Sequence, residues 1–173
     1  MTNSLPMCDR MTHTGNAPPV VVAPLREPNG GGGVMTKTES VLGDVYDAWR
    51  VQDLDLLASY LPDDFCHVLY VPTEVFSLGG TREGKRAAVE RWNSLFRLFD
   101  FQHYDTRNLM VYRYHAAVEI PIHYVHRETG TSFKSVKANF WTLEDGWPVK
   151  LAEYYDIGQL QAFLSAAVAD PPS

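Results

Sequence analysis

The sequence predicts an α+β fold in which helices come first and a long antiparallel meander follows. Three observations lead to it. Apolar residues recur at helical spacing in three runs between Thr36 and Phe99. Alternating segments fill most of the stretch from Phe101 to Tyr155. The turns between them, Glu128-Thr129-Gly130-Thr131 and Glu144-Asp145-Gly146, carry glycine where a hairpin needs positive φ. Strands and helices do not alternate one for one, so a parallel sheet of βαβ units is not expected.

The first 34 residues stand apart: they hold Pro18-Pro19, Pro24, Pro28 and the run Gly30-Gly31-Gly32-Gly33 without hydrophobic periodicity. Such a segment cannot offset its ordering entropy. We expect 1–34 to be a disordered extension, Met35 the start or practical boundary, and 35–173 one domain. Thr36 and Glu39 have capping-box spacing ahead of Val41, Leu42, Val45, Ala48 and Trp49, which predicts a helix to about Gln52. Asp53 caps a short second helix carrying Leu56, Leu57 and Tyr60, and Pro62-Asp63-Asp64 breaks it. Residues 65–71 read as a strand and 72–80 as an irregular arm. Thr81 caps a third helix to about Phe99, with Ala88, Trp92, Leu95, Phe96 and Phe99 on its apolar stripe. Strands follow over roughly 101–112, 116–127, 132–143 and 147–155. Asp156 caps a final helix that Pro171-Pro172 ends.

At 173 residues and 45% hydrophobic composition, the chain can build one core. A formal net charge of −6 weighs against nucleic acid or an anionic membrane as partner. No apolar run approaches the ~20 residues that span a bilayer. The N-terminus lacks the charged-then-apolar pattern of a secretory signal, and the two cysteines, Cys8 and Cys66, form no motif. A cytoplasmic protein without a disulfide framework is therefore expected. His103, His115, His123 and His126 show no ligand spacing, and His123 and His126 fall on opposite faces of a strand. The glycine run has no following Lys-Ser/Thr, so it is not a phosphate loop. Neither a metal nor a cofactor is expected.

Three polar residues, Lys137, Asn139 and Glu153, stand where a sheet should bury apolar side chains. By the strand period, Val149, Leu151, Glu153 and Tyr155 share one face. Val136, Ala138 and Phe140 alternate with the polar set, and an exposed apolar stripe of this kind predicts a homodimer through that face. With a three-residue Glu144-Asp145-Gly146 loop, Lys137 lies directly opposite Glu153 as a charge partner. Tyr46, Tyr70, Trp92 and Tyr124 read as core or cavity lining.

The ordered set resembles the NTF2-like superfamily from about 36 to 163. It comprises helices first, a strand after Pro62-Asp63-Asp64, a helix after Gly79-Gly80-Thr81-Arg82-Glu83-Gly84-Lys85, and a sheet ending Glu153-Tyr154-Tyr155-Asp156. Within that superfamily it is similar to the SnoaL-like polyketide cyclase and ketosteroid isomerase-like group, with limonene-epoxide hydrolase as a relative. The resemblance implies a cone: three N-terminal helices packed in a curved antiparallel sheet around a deep apolar pocket, plus a C-terminal helix. It implies a cofactor-independent cyclase, isomerase, dehydratase or hydrolase that works by general acid/base chemistry on a mostly apolar, polyketide- or steroid-like molecule. A non-catalytic ligand-binding or dimeric assembly module is the alternative.

The resemblance also carries residues over. Glu153 takes the place of the epoxide hydrolase's catalytic aspartate, and among Leu151, Tyr155 and Trp49 its pKa would rise. Asn139 takes that of the isomerase's protonated aspartic acid and would polarise a carbonyl. His67 replaces a water-positioning tyrosine and would move a proton near pH 7. The implied pocket lining is Trp49, Leu69, Trp92, Ile120, Ile122, Tyr124, Lys137, Leu151 and Tyr155. The isomerase's tyrosine and shuttling aspartate correspond to Val45 and Leu69. The hydrolase's asparagine, arginine and second aspartate correspond to Leu69, Ile120 and Ile122. Neither relative's standard reaction is therefore expected. Glu153→Gln is expected to abolish turnover with little change in melting temperature.

Overall fold

Local capping sets the first two helices. In the computed structural model, which describes residues 36–169, Thr36 Oγ1 accepts from the Glu39 N–H at 3.2 Å while the Glu39 carboxylate accepts from the Thr36 N–H at 2.7 Å. This capping box opens α1 (Lys37–Arg50), which buries Leu42, Val45, Tyr46, Ala48 and Trp49. Burying each large apolar side chain contributes roughly 1.5–3 kcal/mol. Asp53 caps α2 (Leu54–Ser59) through the Leu56 N–H at 2.9 Å, and Leu57 is buried while Leu56 is exposed. The expected N-terminal extension and the Met35 boundary lie outside the described residues. No helix among those residues is long and apolar enough to cross a membrane.

The arm after the first strand is more ordered than expected. β1 (Cys66–Leu69) pairs antiparallel with β2 (Gly80–Glu83), matching Cys66 with Glu83 and Leu69 with Gly80. Thr81 is therefore a strand residue, not a cap. The third helix, α3 (Lys85–Leu98), starts after Gly84, whose φ of 89° suits glycine and which makes no side-chain cap. Arg91 of α3 ties the arm down by donating to the carbonyls of His67 at 3.3 Å, Gly79 at 3.3 Å and Gly80 at 2.7 Å. Cys66 is disulfide-bonded, which corrects the expectation that disulfides play no part.

The expected strand over 101–112 is two strands, β3 (Phe99–Tyr104) and β4 (Arg107–Tyr112). Both pair with β5 (His115–His126), β3 along its second half and β4 along its first, so the chain must step sideways at Asp105-Thr106. β6 (Ser132–Glu144) and β7 (Trp147–Tyr154) complete the curved sheet, and α4 (Ile157–Ala169) follows. Asp156 Oδ1 caps α4 by accepting from the Gln159 N–H at 2.9 Å.

The strand order is β2-β1-β7-β6-β5-β3, with β4 also on β5. β1 runs parallel to β7, so the sheet is mixed rather than wholly antiparallel. The long path from β1 to β7 makes parallel pairing possible, since no tight hairpin joins them. The β6–β7 hairpin also differs from expectation. Glu144 faces Trp147, which leaves a two-residue loop of Asp145 (φ 50°) and Gly146 (φ 84°), the geometry of a type I′ turn. With a bulge between Thr142 and Leu143, Asn139 rather than Lys137 lies directly opposite Glu153.

Candidate functional site

Strand alternation delivers four polar side chains into the core. Lys137 and Asn139 point inward from β6, Glu153 from β7 and His67 from β1, and each is 2% exposed or less. Lys137 reaches Glu153 diagonally, and its Nζ donates to Oε2 at 3.2 Å. The other carboxylate oxygen is 3.7 Å from His67 Nε2. The Lys137 ammonium also lies 5.4, 5.1 and 5.5 Å from the ring centroids of Trp49, Tyr104 and Tyr155. Three π faces and one carboxylate thus stand in for its water shell.

A second group surrounds the Tyr46 hydroxyl. Asn139 Nδ2 donates to it at 3.3 Å and Trp141 Nε1 at 2.7 Å. With both lone pairs taken, Tyr46 keeps its own proton as a donor. Tyr46, expected as core or cavity lining, lines a cavity with Asn139 and Glu153. The signal was Trp141, which alternates with Lys137 and Asn139 and needs an acceptor once buried.

Burial alone would push the Glu153 carboxyl up, but Lys137 and His67 together outweigh it and bring its pKa down from 4.5 to about 2. The expected rise is overturned because the Lys137 ammonium and His67 favour the carboxylate more than burial disfavours it. Burial pulls His67 below its ordinary 6.5 against the opposing pull of Glu153, so the imidazole is neutral at neutral pH. Lys137 is also drawn down by burial and held up by Glu153. Burial raises Tyr46, Tyr104, Tyr124 and Tyr155, which remain phenols. The cluster at neutral pH is a carboxylate, an ammonium and a neutral imidazole.

Among the described residues, two small cavities adjoin the polar cluster. One, of about 10 Å³, is lined by Tyr46, Trp49, Trp92, Asn139, Leu151 and Glu153 among others. A second, of about 20 Å³, lies under α4 and is lined by Leu69, Tyr124 and Tyr155 with Leu160 and Phe163. Each has room for about one water. Aromatic rings pack beside them, with Trp49 lying 5.2 Å from Trp92, 5.0 Å from Phe96 and 6.0 Å from Tyr104. Ile120 and Ile122 are buried but line neither cavity. Tyr70 faces outward, 48% exposed. No group of three or more His, Cys, Asp or Glu among the described residues is disposed to hold a metal.

The same architecture recurs in solved structures. A protein crystallised with polyporic acid, TerC, is 17% identical with a TM-score of 0.67, covering 75% of this chain and 99% of its own. An NTF2-like protein of unknown function from Burkholderia pseudomallei is 15% identical with a TM-score of 0.69, covering 76% and 99%. A protein from Xanthomonas campestris provisionally assigned as a polyketide cyclase is 18% identical with a TM-score of 0.62, covering 74% and 96%. At these identities the likeness shows the fold. No curated protein sequence matches significantly. The family model for the SnoaL-like domain matches residues 42–154, which span both the helices and the polar cluster. The chain belongs to the SnoaL-like domain family.

Proposed function

We propose that this chain is a cofactor-independent enzyme that moves a proton on a mostly apolar small molecule. Glu153 is the base, Tyr46 and Asn139 present hydrogen-bond donors to a substrate oxygen, and His67 orients the carboxylate. The observation that carries this reading is convergence: α1, β1, β6 and β7 each send a polar group to one apolar interior. His67 Nδ1 and Asn139 Oδ1 lack a hydrogen-bond partner there. Leaving such buried groups unsatisfied costs about 1–3 kcal/mol each, which a purely structural core has no need to bear. That TerC was crystallised with polyporic acid supports a small organic ligand for this fold. Because Glu153 is ionised, its first step is to accept a proton, not to give one.

The depressed Glu153 pKa and the small cavities favour a second reading, a binding or assembly module in which the Lys137–Glu153 pair is structural. Two variants separate the readings. Glu153→Gln strands the Lys137 ammonium in the core at a cost of about 3–5 kcal/mol, so the expectation of an unchanged melting temperature does not hold. The double variant K137M/E153Q removes both charges and should regain near-native stability in urea unfolding. Proton exchange at the acidic C–H of a panel of cyclic ketones and 1,3-diketones in deuterated water, followed by NMR, should fall by about 10²-fold or more in that double variant. Retained exchange would overturn the catalytic reading and leave the binding module.

A further inference from the structure

The cavity of about 20 Å³ beneath α4 has the arrangement of a binding chamber that is already occupied. The sheet and α3 build its walls, and α4 supplies Leu160 and Phe163. Phe163 lies face to face on Phe133, with centroids 5.0 Å apart and planes at 15°, and tilts against Phe99 at 5.7 Å. Its ring therefore sits in a slot formed by other elements.

That slot adjoins the polar cluster. Leu69, in its wall, is the register partner of Glu153, and the Tyr155 ring is 5.5 Å from Lys137 Nζ. The Tyr155 hydroxyl interacts with that of Tyr124, so a polar edge lies at the inner end of an apolar slot. α4 itself is lightly held. Its hydrogen bonds to Asp156 are local, and among the described residues no hydrogen bond or ion pair ties it to the sheet. Apolar packing by Leu160, Phe163 and Ala167 holds it down.

We propose that Leu160 and Phe163 are stand-ins for a ligand, and that binding displaces α4 about its Tyr155-Asp156 junction. The chamber then takes a planar apolar ring laid on Phe133. A hydroxyl or carbonyl on that ring points at Tyr124 and Tyr155, toward the Lys137–Glu153 pair. This inference rests on reading the cluster as a ligand-handling site.

The probe is 2-naphthol, a planar bicyclic ring with one hydroxyl, added to the full chain. Hydrogen–deuterium exchange of wild type should quicken several-fold across 157–167 at saturating 2-naphthol, while β6 and β7 hold or slow. Phe163→Ala should bind 2-naphthol at least about tenfold more tightly, because the competent state no longer has to be opened against the plug. Leu160→Ala should move the same way and serves where Phe163→Ala folds poorly. Three results would each overturn the proposal: α4 exchange that slows or stays constant on binding, unchanged affinity in both variants, or no binding by any of the three proteins. The acid/base reading is tested separately. Tight binding with displaced α4 in K137M/E153Q keeps the chamber whatever becomes of catalysis. Glu153-dependent proton exchange with α4 unmoved keeps catalysis and removes the plug.

Discussion

Glu153 and its neighbour His67 titrate in different ranges, and this gives the protein a two-step response to acid. The pKa of His67 is lower in the folded chain than its ordinary 6.5, so the unfolded chain binds that proton more readily. The stability it contributes is complete above about pH 6.5 and declines as pH falls toward the lowered value. The pKa of Glu153 falls from 4.5 to about 2, so its contribution is complete above 4.5 and is lost between there and 2. His67→Gln should flatten stability between pH 7 and 5 in urea titrations while leaving the loss below 4.5. An unchanged slope in that variant would assign the first step to another group. The inward position of these residues was legible because a strand's period fixes which face each side chain takes. The charge state of Glu153 was not, because it depends on a diagonal Lys137 contact and on a β1–β7 pairing that no local pattern encodes. The hydrogen bonds at the Tyr46 hydroxyl were not legible for a similar reason: Asn139 and Trp141 lie far along the chain.

At the scale of elements, the β1–β2 arm fixes the backbone of His67 and so aims its ring at Glu153. Gly79 closes that arm, and an added Cβ would come within 2.1 Å of the Val71 carbonyl oxygen. A backbone atom cannot give way as a side-chain tip can. Gly79→Ala should therefore cost about 3 kcal/mol by chemical denaturation, whereas Gly43→Ala in α1, whose Cβ meets nothing and whose φ is ordinary, should cost nothing or stabilise. Equal losses would show that the arm yields. The caps at Thr36, Asp53 and Asp156 were legible because their partners are three residues away. β2 was not, because its hydrogen-bond partners lie on β1 and the helix after it begins at an uncapped Gly84.

At the scale of the molecule, the convex sheet face carries Val136 and Phe140, each 50% exposed, beside Tyr154 stacked on Tyr70 at 4.5 Å. Phe140 meets Tyr154 edge-on at 5.5 Å, and a groove of about 350 Å³ continues past Met110 and Tyr112. We propose a two-fold dimer through this face, as the alternation of β6 implied. Sedimentation should show a dimer for wild type and a monomer for Phe140→Asp with its circular dichroism retained. A monomeric wild type would refute the interface. The parallel pairing of β1 with β7 has one more result, which concerns synthesis. A ribosome makes His67 well before Glu153, yet the two must meet for the ion cluster to close. A chain stopped before β7 carries Lys137 with no counter-ion, and burying it alone is strongly unfavourable. Copies that lack β7 are thus held open by their own lysine and exposed to proteolysis until Glu153 joins the cluster.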